Sequence, residues 1–197
     1  MNYGADRRVD RIAVPSMDSL WKSGEFGVVL HDAGAAAHAL AWLAEDPRLA
    51  RNARVYAEGP ALRMAGAAGL KTVKTVNAAL DSVNWALVGT GWQSNLEQCA
   101  MKLCSQSEIP CVAVVDHWVN YRARFASLLP RERPEFVAVT DEIAEAIAQK
   151  ELPWATVLRW PNTQGERLQR LVDALGGRLG YLERLVLWLH EPLRKDV

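Results

Sequence analysis

Short apolar runs alternate with longer amphipathic segments along most of this chain. Runs of four or five apolar residues, rich in valine, are typical of strands that are covered on both faces. The segments between them have the length and polarity of helices. The pattern predicts strands at residues 26–30, 54–57, 71–76, 85–88, 111–115, 136–139 and 156–158.

This alternation predicts an α/β fold of three layers, with helices on both sides of a mostly parallel sheet. Because crossovers between parallel strands are right-handed, we expect the sheet to be doubly wound. The expected strand order is 3-2-1-4-5-6, with room for a seventh strand, so the switch point lies between the first and fourth strands. Residues 71–76 alternate polar and apolar side chains, and we expect an edge strand there.

The pattern divides the chain into three parts. Residues 1–24 are polar and irregular and predict an N-terminal arm, with a short helix near residues 17–22. Residues 25–162 form the predicted Rossmann-like domain. Residues 163–197 predict two further helices, at 164–175 and 179–190. We expect this C-terminal helical extension to pack on the domain or on a partner, for example in a homodimer.

Composition narrows the classes of partner. Lys plus Arg and Asp plus Glu both number 23, so the net charge is zero with neutral histidines, and we expect no nucleic-acid partner. No apolar run reaches the length of about 20 residues that a membrane span needs. The charged N-terminal residues do not predict a signal peptide. The number of cysteines is odd and no signal peptide is predicted, so we expect a cytoplasmic protein. The three cysteines also lack metal-ligand spacing, and we expect no metal and no cofactor.

Polar side chains follow the first predicted strand, at the edge where a parallel sheet places its ligands. His31 and Asp32 come directly after the strand, and Gly34 follows them. A histidine that a carboxylate orients can act as a general acid or base. The alternative is that Asp32 only caps the next helix while His31 fills space.

A Gly-rich turn follows the fourth predicted strand. Glycine lets the backbone approach a ligand, a helix N-terminus favours an anion, and an aromatic ring can stack on a sugar. The turn is not a G-x-G-x-x-G motif, because serine stands at the third glycine position. A plain strand-to-helix turn is the alternative. The candidate ligand-binding residues here are Gly89, Thr90, Gly91, Trp92, Ser94 and Asn95.

The turn after the fifth predicted strand holds the densest functional chemistry in the chain. Asp116 and His117 are candidate catalytic residues, since they end a buried strand. Arginines can clamp a phosphate or carboxylate, and amide and phenol groups can bind hydroxyls. The alternative is a helix start with solvated arginines and with aromatic rings packed on the sheet edge. The candidate ligand-binding residues are Trp118, Asn120, Tyr121, Arg122 and Arg124.

Other strand ends supply weaker candidates. Glu58 follows the second predicted strand, and Thr140 and Asp141 follow the sixth, where helix capping is the alternative explanation. Trp160-Pro161-Asn162 follows the seventh strand and is expected to lie at the rim of the same cleft.

Three segments carry a resemblance to a known superfamily: residues 26–34, GTGWQSNLE at 89–97 and VAVVDHWVNYRARF at 112–125. Over about residues 26–162 the chain loosely resembles the N-terminal Rossmann-like half of GT-B glycosyltransferases and UDP-sugar 2-epimerases, including bacterial surface-polysaccharide proteins. In that superfamily the nucleotide diphosphate is held mainly by the second half. The resemblance therefore implies a glycosyltransferase-like half domain that binds the acceptor side, pairs with a second chain or has been repurposed.

We therefore predict a protein that binds a phosphorylated or sugar-like small molecule, in sugar or cell-surface polysaccharide metabolism. The cleft is expected at the switch point, between the turn at His31, the Gly-rich turn and the Asp116–Arg124 turn. A non-catalytic interaction or regulatory module that uses the helix at 179–190 is one alternative. A small hydrolase or isomerase that uses the same cleft is the other.

Overall fold

A six-stranded parallel sheet with helices on both faces forms the core of the fold. The computed structural model describes residues 16–174. The strands lie in the order β2-β1-β3-β4-β5-β6, and every pairing is parallel. The prediction of a doubly wound, three-layer α/β fold is confirmed. In chain order the strands β1 to β6 are Phe26–Leu30, Ala53–Ala57, Trp85–Val88, Cys111–Val114, Phe136–Val139 and Thr156–Arg159.

Helices occupy the segments between the strands, as the alternation predicts. Several begin at a residue whose side chain accepts a backbone N–H, such as Thr75 and Asp141. In chain order the described helices α1 to α9 are Met17–Trp21, Ala33–Glu45, Pro47–Asn52, Gly59–Ala67, Val76–Leu80, Leu96–Gln106, Tyr121–Arg124, Glu142–Glu151 and Thr163–Ala174. A single 3₁₀ turn, Pro130–Glu132, precedes β5 in the described part of the chain.

The edge strand expected at residues 71–76 is reduced to a single bridge. Thr72 pairs with Val55 in parallel, and Val73 donates its N–H to the Val55 carbonyl at 2.8 Å. The segment lies beside β2, where the predicted order put it. It does not extend further because Thr75 caps α5 by accepting the Ala78 N–H, which turns the chain into a helix.

Alternate side chains of the buried strands feed two separate cores, one on each face of the sheet. Val28 and Leu87 face a core that is completed by α2 and α4. Val29, Val88 and Val137 face the other core, which is completed by α6 and α8. All residues of β1, β3, β4 and β5 are buried, which explains their continuous apolar runs.

Most of the aromatic volume lies in one of these cores. Phe26 stacks on Trp85 with ring centroids 4.6 Å apart, and Trp21 contacts both rings edge-on. Trp42 and Trp160 form a T-shaped pair at 4.9 Å, and the Trp42 indole donates to the Pro161 carbonyl at 2.9 Å. These tryptophans stabilise the packing of α1, α2 and the end of β6 and are not available as an interaction surface.

Of the C-terminal extension, the first helix is described. It is α9, which packs on α2 and begins at the carboxyl edge of the sheet, just after β6. The predicted helix at 179–190 and most of the predicted arm at 1–24 lie outside the described residues. Within residues 16–174, no helix is both long and apolar enough to cross a membrane.

Candidate functional site

The order of the strands reverses between β1 and β3, whose carboxyl ends carry two of the predicted turns. His31 and Asp32 leave β1 toward α2, and the Gly89–Gly91 turn leaves β3 toward α6. These two turns contact each other: a Cβ added to Gly91 would lie 2.6 Å from the Asp32 carboxylate. The fold therefore brings His31, Asp32 and the Gly-rich turn together, as the predicted switch point requires.

Glu97 occupies the space between these turns. Its side chain is buried, with 1% of its surface exposed. Its carboxylate accepts the backbone N–H of His31 at 2.9 Å and the backbone N–H of Gly91. A Cβ on Gly89 would collide with this carboxylate, so glycine at that position is required by the close approach. Glu97 thus holds β1 and the Gly-rich turn together with charge-assisted hydrogen bonds.

The environment of Glu97 raises the pKa of its carboxyl group. Burial is the largest cause, because it penalises the charged form, and the nearby Asp32 charge acts in the same direction. The N–H groups of His31 and Gly91 oppose the shift. The sequence pattern did not indicate Glu97 as a candidate site residue. The spacing Ser94-x-x-Glu97 is that of a capping box and is the signal that could have found it.

Neighbouring groups restrict the position of the His31 ring. Its Nδ1 lies 3.8 Å from Asp32 Oδ1, beyond hydrogen-bond distance. Its ring packs against Gly59, where a Cβ would lie 2.8 Å from Nε2. Asp32 is the N-cap residue of α2, but its side chain makes no capping hydrogen bond. The histidine and the carboxylate are therefore adjacent, with no hydrogen bond between their side chains.

The Asp116 carboxylate is fixed between α2 and α7. Its Oδ1 accepts from Arg124 Nη1 at 2.7 Å, and its other oxygen lies against the Gly34 backbone, where a Cβ would collide with it. Arg124 is 8% exposed and also donates to Thr90 Oγ1 at 2.9 Å. Thr90 in turn donates to the Val114 carbonyl at 2.7 Å. The Arg124 guanidinium is thus engaged by protein groups that tie β3, β4 and α7 together.

The remaining residues of the Asp116–Arg124 turn face in different directions. Tyr121 is buried and donates to the Ala144 carbonyl at 3.3 Å, and burial raises the pKa of its phenol. Arg122 lies on the outside and pairs with Glu151 at 2.8 Å. Asn120 adopts a left-handed conformation with φ of 61° just before α7, which asparagine tolerates better than most residues.

His117 and Trp118 form a wall at the end of β4. The Trp118 indole donates to both carboxylate oxygens of Asp141, at 3.1 and 3.0 Å. The Trp118 backbone N–H donates to His117 Nδ1 at 2.9 Å. That hydrogen bond assigns the proton of a neutral His117 ring to Nε2, which leaves Nε2 as a donor. His117 is otherwise exposed.

A cavity of about 260 Å³ lies beside this wall, at the carboxyl ends of β4, β5 and β6. It is smaller than the range of roughly 300–1,000 Å³ that is typical of sites for drug-sized ligands, so it suits a small ring. Helices α2, α8 and α9 close its sides. Its lining residues are Gly34, Ala37, His38, Val115, Asp116, His117, Trp118, Thr140, Asp141, Ala144, Asn162, Gln164, Gly165 and Leu168.

The cavity contains four of the predicted site residues: Gly34, Asp116, His117 and Trp118. The weaker candidates Thr140, Asp141 and Asn162 lie there as well. The sequence did not indicate Ala37 and His38 of α2 or Gln164 of α9 as lining residues. The predicted residues that do not line the cavity are His31, Asp32, Gly89, Thr90, Gly91, Trp92, Ser94, Asn95, Asn120, Tyr121, Arg122 and Arg124.

Three of the predicted residues outside the cavity lie in the turn just before α6. Trp92 is 78% exposed, so its ring is free to contact solvent or another molecule. The Ser94 hydroxyl accepts the Leu96 N–H at 3.1 Å, as expected of a residue that caps a helix. Asn95 precedes the helix without a capping hydrogen bond from its side chain.

The polar groups of the cavity suit a hydroxylated ligand better than an anion. Its described lining holds two aspartates and two histidines but no lysine or arginine. Amide and hydroxyl groups come from Asn162, Gln164 and Thr140. No group of three or more His, Cys, Asp or Glu side chains within residues 16–174 is arranged to hold a metal ion. The cavity can therefore offer both donors and acceptors to a neutral, hydroxyl-rich molecule.

Comparison with known proteins adds no homologue to this picture. No family model matches the chain, and no curated protein or solved structure shows significant similarity to it.

Proposed function

We propose that this protein binds a sugar-like small molecule in the cavity beside His117 and Trp118. The observation that carries the proposal is the cavity itself, a small polar recess at the carboxyl ends of β4 to β6 with an indole in its wall. Ligands of open α/β sheets bind at this edge. Sugar recognition commonly combines an aromatic ring with carboxylate and amide groups that exchange hydrogen bonds with hydroxyls.

The charged groups around the cavity favour a neutral sugar-like ligand over a phosphorylated one. Arg124 is held by Asp116 and Thr90, and Arg122 pairs with Glu151 on the outer face. Neither guanidinium lines the cavity. A phosphate ester placed there would instead meet the carboxylate of Asp141, with no cation in the lining to balance its charge. We therefore expect free sugars to bind at least as tightly as their phosphate esters.

We also propose a metabolic role, a location and a partner for this protein. The sequence resemblance to the N-terminal half of GT-B enzymes supports a role in sugar or cell-surface polysaccharide metabolism, in the cytoplasm, as a glycosyltransferase-like half domain. A homodimer or a second chain would then complete the site. Light scattering of the full chain, alone and with a candidate partner, measures whether such an assembly forms.

The test of binding is a thermal-shift and calorimetric panel of glucose, galactose, mannose and N-acetylglucosamine, each with its phosphate ester. A ligand that binds only the folded state stabilises it, by about 2.7 kcal/mol at a concentration of 100 times Kd. The variant Ala37→Leu extends a side chain from α2 into the cavity and keeps a good helix former at that position. We expect it to abolish the shift that the sugar produces.

The matched control is Ala146→Leu, which makes the same change on the exposed face of α8, outside the cavity. It should bind as the unmodified protein does. The proposal fails if no sugar of the panel stabilises the protein, or if Ala37→Leu binds as well as Ala146→Leu. A phosphate ester that binds more tightly than its free sugar would instead identify a phosphorylated ligand.

A further inference from the structure

Trp118 lines two recesses of the surface. One is the cavity of about 260 Å³ described above. The other is an outer groove of about 430 Å³ between α7 and α8. Among the residues that the structure describes, Trp118 is the one that lines both. The other residues of the outer groove are Asn120, Tyr121, Arg122, Ala123, Ile147 and Glu151.

The position of the indole is set by contacts on several sides. Its Nε1 donates to both oxygens of Asp141, and Asp141 is itself held as the N-cap of α8, accepting the Ala144 N–H at 2.7 Å. The His117 ring meets the indole edge-on, with centroids 5.9 Å apart. Because a locked carboxylate anchors the donor, the indole is a fixed wall and not a freely rotating side chain.

The outer groove has its own binding chemistry. It combines the apolar side chain of Ile147 with the ion pair of Arg122 and Glu151, whose atoms lie 2.8 Å apart. Arg122 is exposed on its outer side, so its remaining N–H groups face solvent. A second sugar ring could therefore pack and form hydrogen bonds there if the two recesses were continuous.

We propose that Trp118 determines the size of the ligand, by closing the cavity to a single sugar ring. The inference rests on the proposed function, since it concerns the ligand class of the same cavity. Replacing the indole with a methyl group removes the partition, so the cavity and the outer groove become one site. The enlarged site accommodates a disaccharide, with one ring in the cavity and the second beside Arg122 and Glu151. Specificity of this kind arises from a steric block against the larger ligand.

The experiment compares monosaccharides with the disaccharides of the same sugars by calorimetry, in the unmodified protein and in Trp118→Ala. The unmodified protein should prefer the monosaccharide by about tenfold or more in Kd. In Trp118→Ala the preference should reverse, because the disaccharide gains contacts while the monosaccharide loses the aromatic wall. Trp118→Phe keeps an aromatic ring in the wall and should retain the preference for the monosaccharide.

A matched control is Ile143→Ala, which trims an exposed apolar side chain of α8 that lines neither recess. It should leave both affinities unchanged. If Trp118→Ala does not fold, Trp118→Leu opens the same partition in part, and its disaccharide affinity must still rise. The inference fails alone if the unmodified protein binds a monosaccharide but neither variant gains disaccharide affinity. If no sugar binds the unmodified protein, the inference falls together with the proposed function.

Discussion

At the scale of single residues, Glu97 has the strongest influence on the geometry of the switch point. It is a buried carboxylate with two backbone N–H partners, one from the end of β1 and one from the Gly-rich turn. Glycine at positions 89 and 91 leaves room for it. The space between the two turns, where the sequence predicted a ligand, is thereby filled by a protein side chain. The cavity that remains lies further along the sheet edge.

Replacing Glu97 with Gln should destabilise the fold. An amide presents an N–H where the carboxylate accepts one, so a buried donor is left unpaired, at a cost of about 1–3 kcal/mol. Urea unfolding at neutral pH measures the loss. The control Glu166→Gln changes an exposed carboxylate of α9 and should alter the free energy of unfolding little.

The loss should also depend on pH. Because the pKa of Glu97 is raised above its usual value of 4.5, the folded state takes up a proton at a higher pH than the unfolded chain does. The stability from this proton uptake is fully present below pH 4.5 and is lost as pH rises through the folded-state pKa. The gap in unfolding free energy between the unmodified protein and Glu97→Gln should therefore widen as pH falls from neutral. A gap that narrows would contradict the raised pKa.

At the scale of elements, the four-residue helix α7 depends on its partners, because so short a helix is not stable by itself. Arg124 connects it to β3 and β4 through Thr90 and Asp116. Tyr121 connects it to α8 through the Ala144 carbonyl. The sequence assigned Arg122 and Arg124 the same role as an anion clamp. The structure separates them, since one is exposed and the other is buried in a network.

The two arginines should respond differently to truncation. Arg124→Ala leaves Asp116 without its cation in a mostly buried position and should lower the free energy of unfolding by about 3 kcal/mol. Arg122→Ala breaks an exposed pair with Glu151 and should cost less than about 1 kcal/mol. Denaturant titrations of both variants measure the two values. Equal losses would contradict the burial of the Arg124 network.

At the scale of the whole molecule, stability is expected to be highest in the centre of the sheet. Strands β1, β3, β4 and β5 are buried throughout, whereas β2 and β6 are partly exposed. β6 pairs only with β5 among the described residues. β2 has one further neighbour besides β1, the isolated bridge at Thr72.

Amide hydrogen exchange should follow this gradient. Buried central strands open only in nearly global unfolding, while edge strands exchange through local opening. We expect the amides of β1, β3 and β4 to exchange most slowly and those of β6 to exchange earlier. Exchange followed by mass spectrometry on the full chain measures the order. Protection of β6 equal to that of β3 would indicate that a further contact covers this edge.

The fold class and the order of the strands could be predicted from the amino-acid sequence. A short continuous apolar run indicates a strand that is buried on both faces, and such runs occur at residues 26–30, 85–88, 111–115 and 136–139. Because crossovers between parallel strands are right-handed, few topologies then remain. The sequence also indicated that Asp116, His117 and Trp118 lie together at the carboxyl edge of the sheet. The strand predicted at 71–76 is reduced to a single bridge, because Thr75 caps α5.

The contacts between polar groups of different elements could not be predicted from the sequence. His31 and Glu97 are 66 residues apart in sequence, and Gly34 lies against Asp116 although no sequence pattern joins them. Such contacts depend on how closely whole elements approach one another, and a spacing along the chain carries no information about that distance. The same reason explains why Gln164 of α9 reaches the cavity edge. It also explains why Arg124 is buried while Arg122 is exposed.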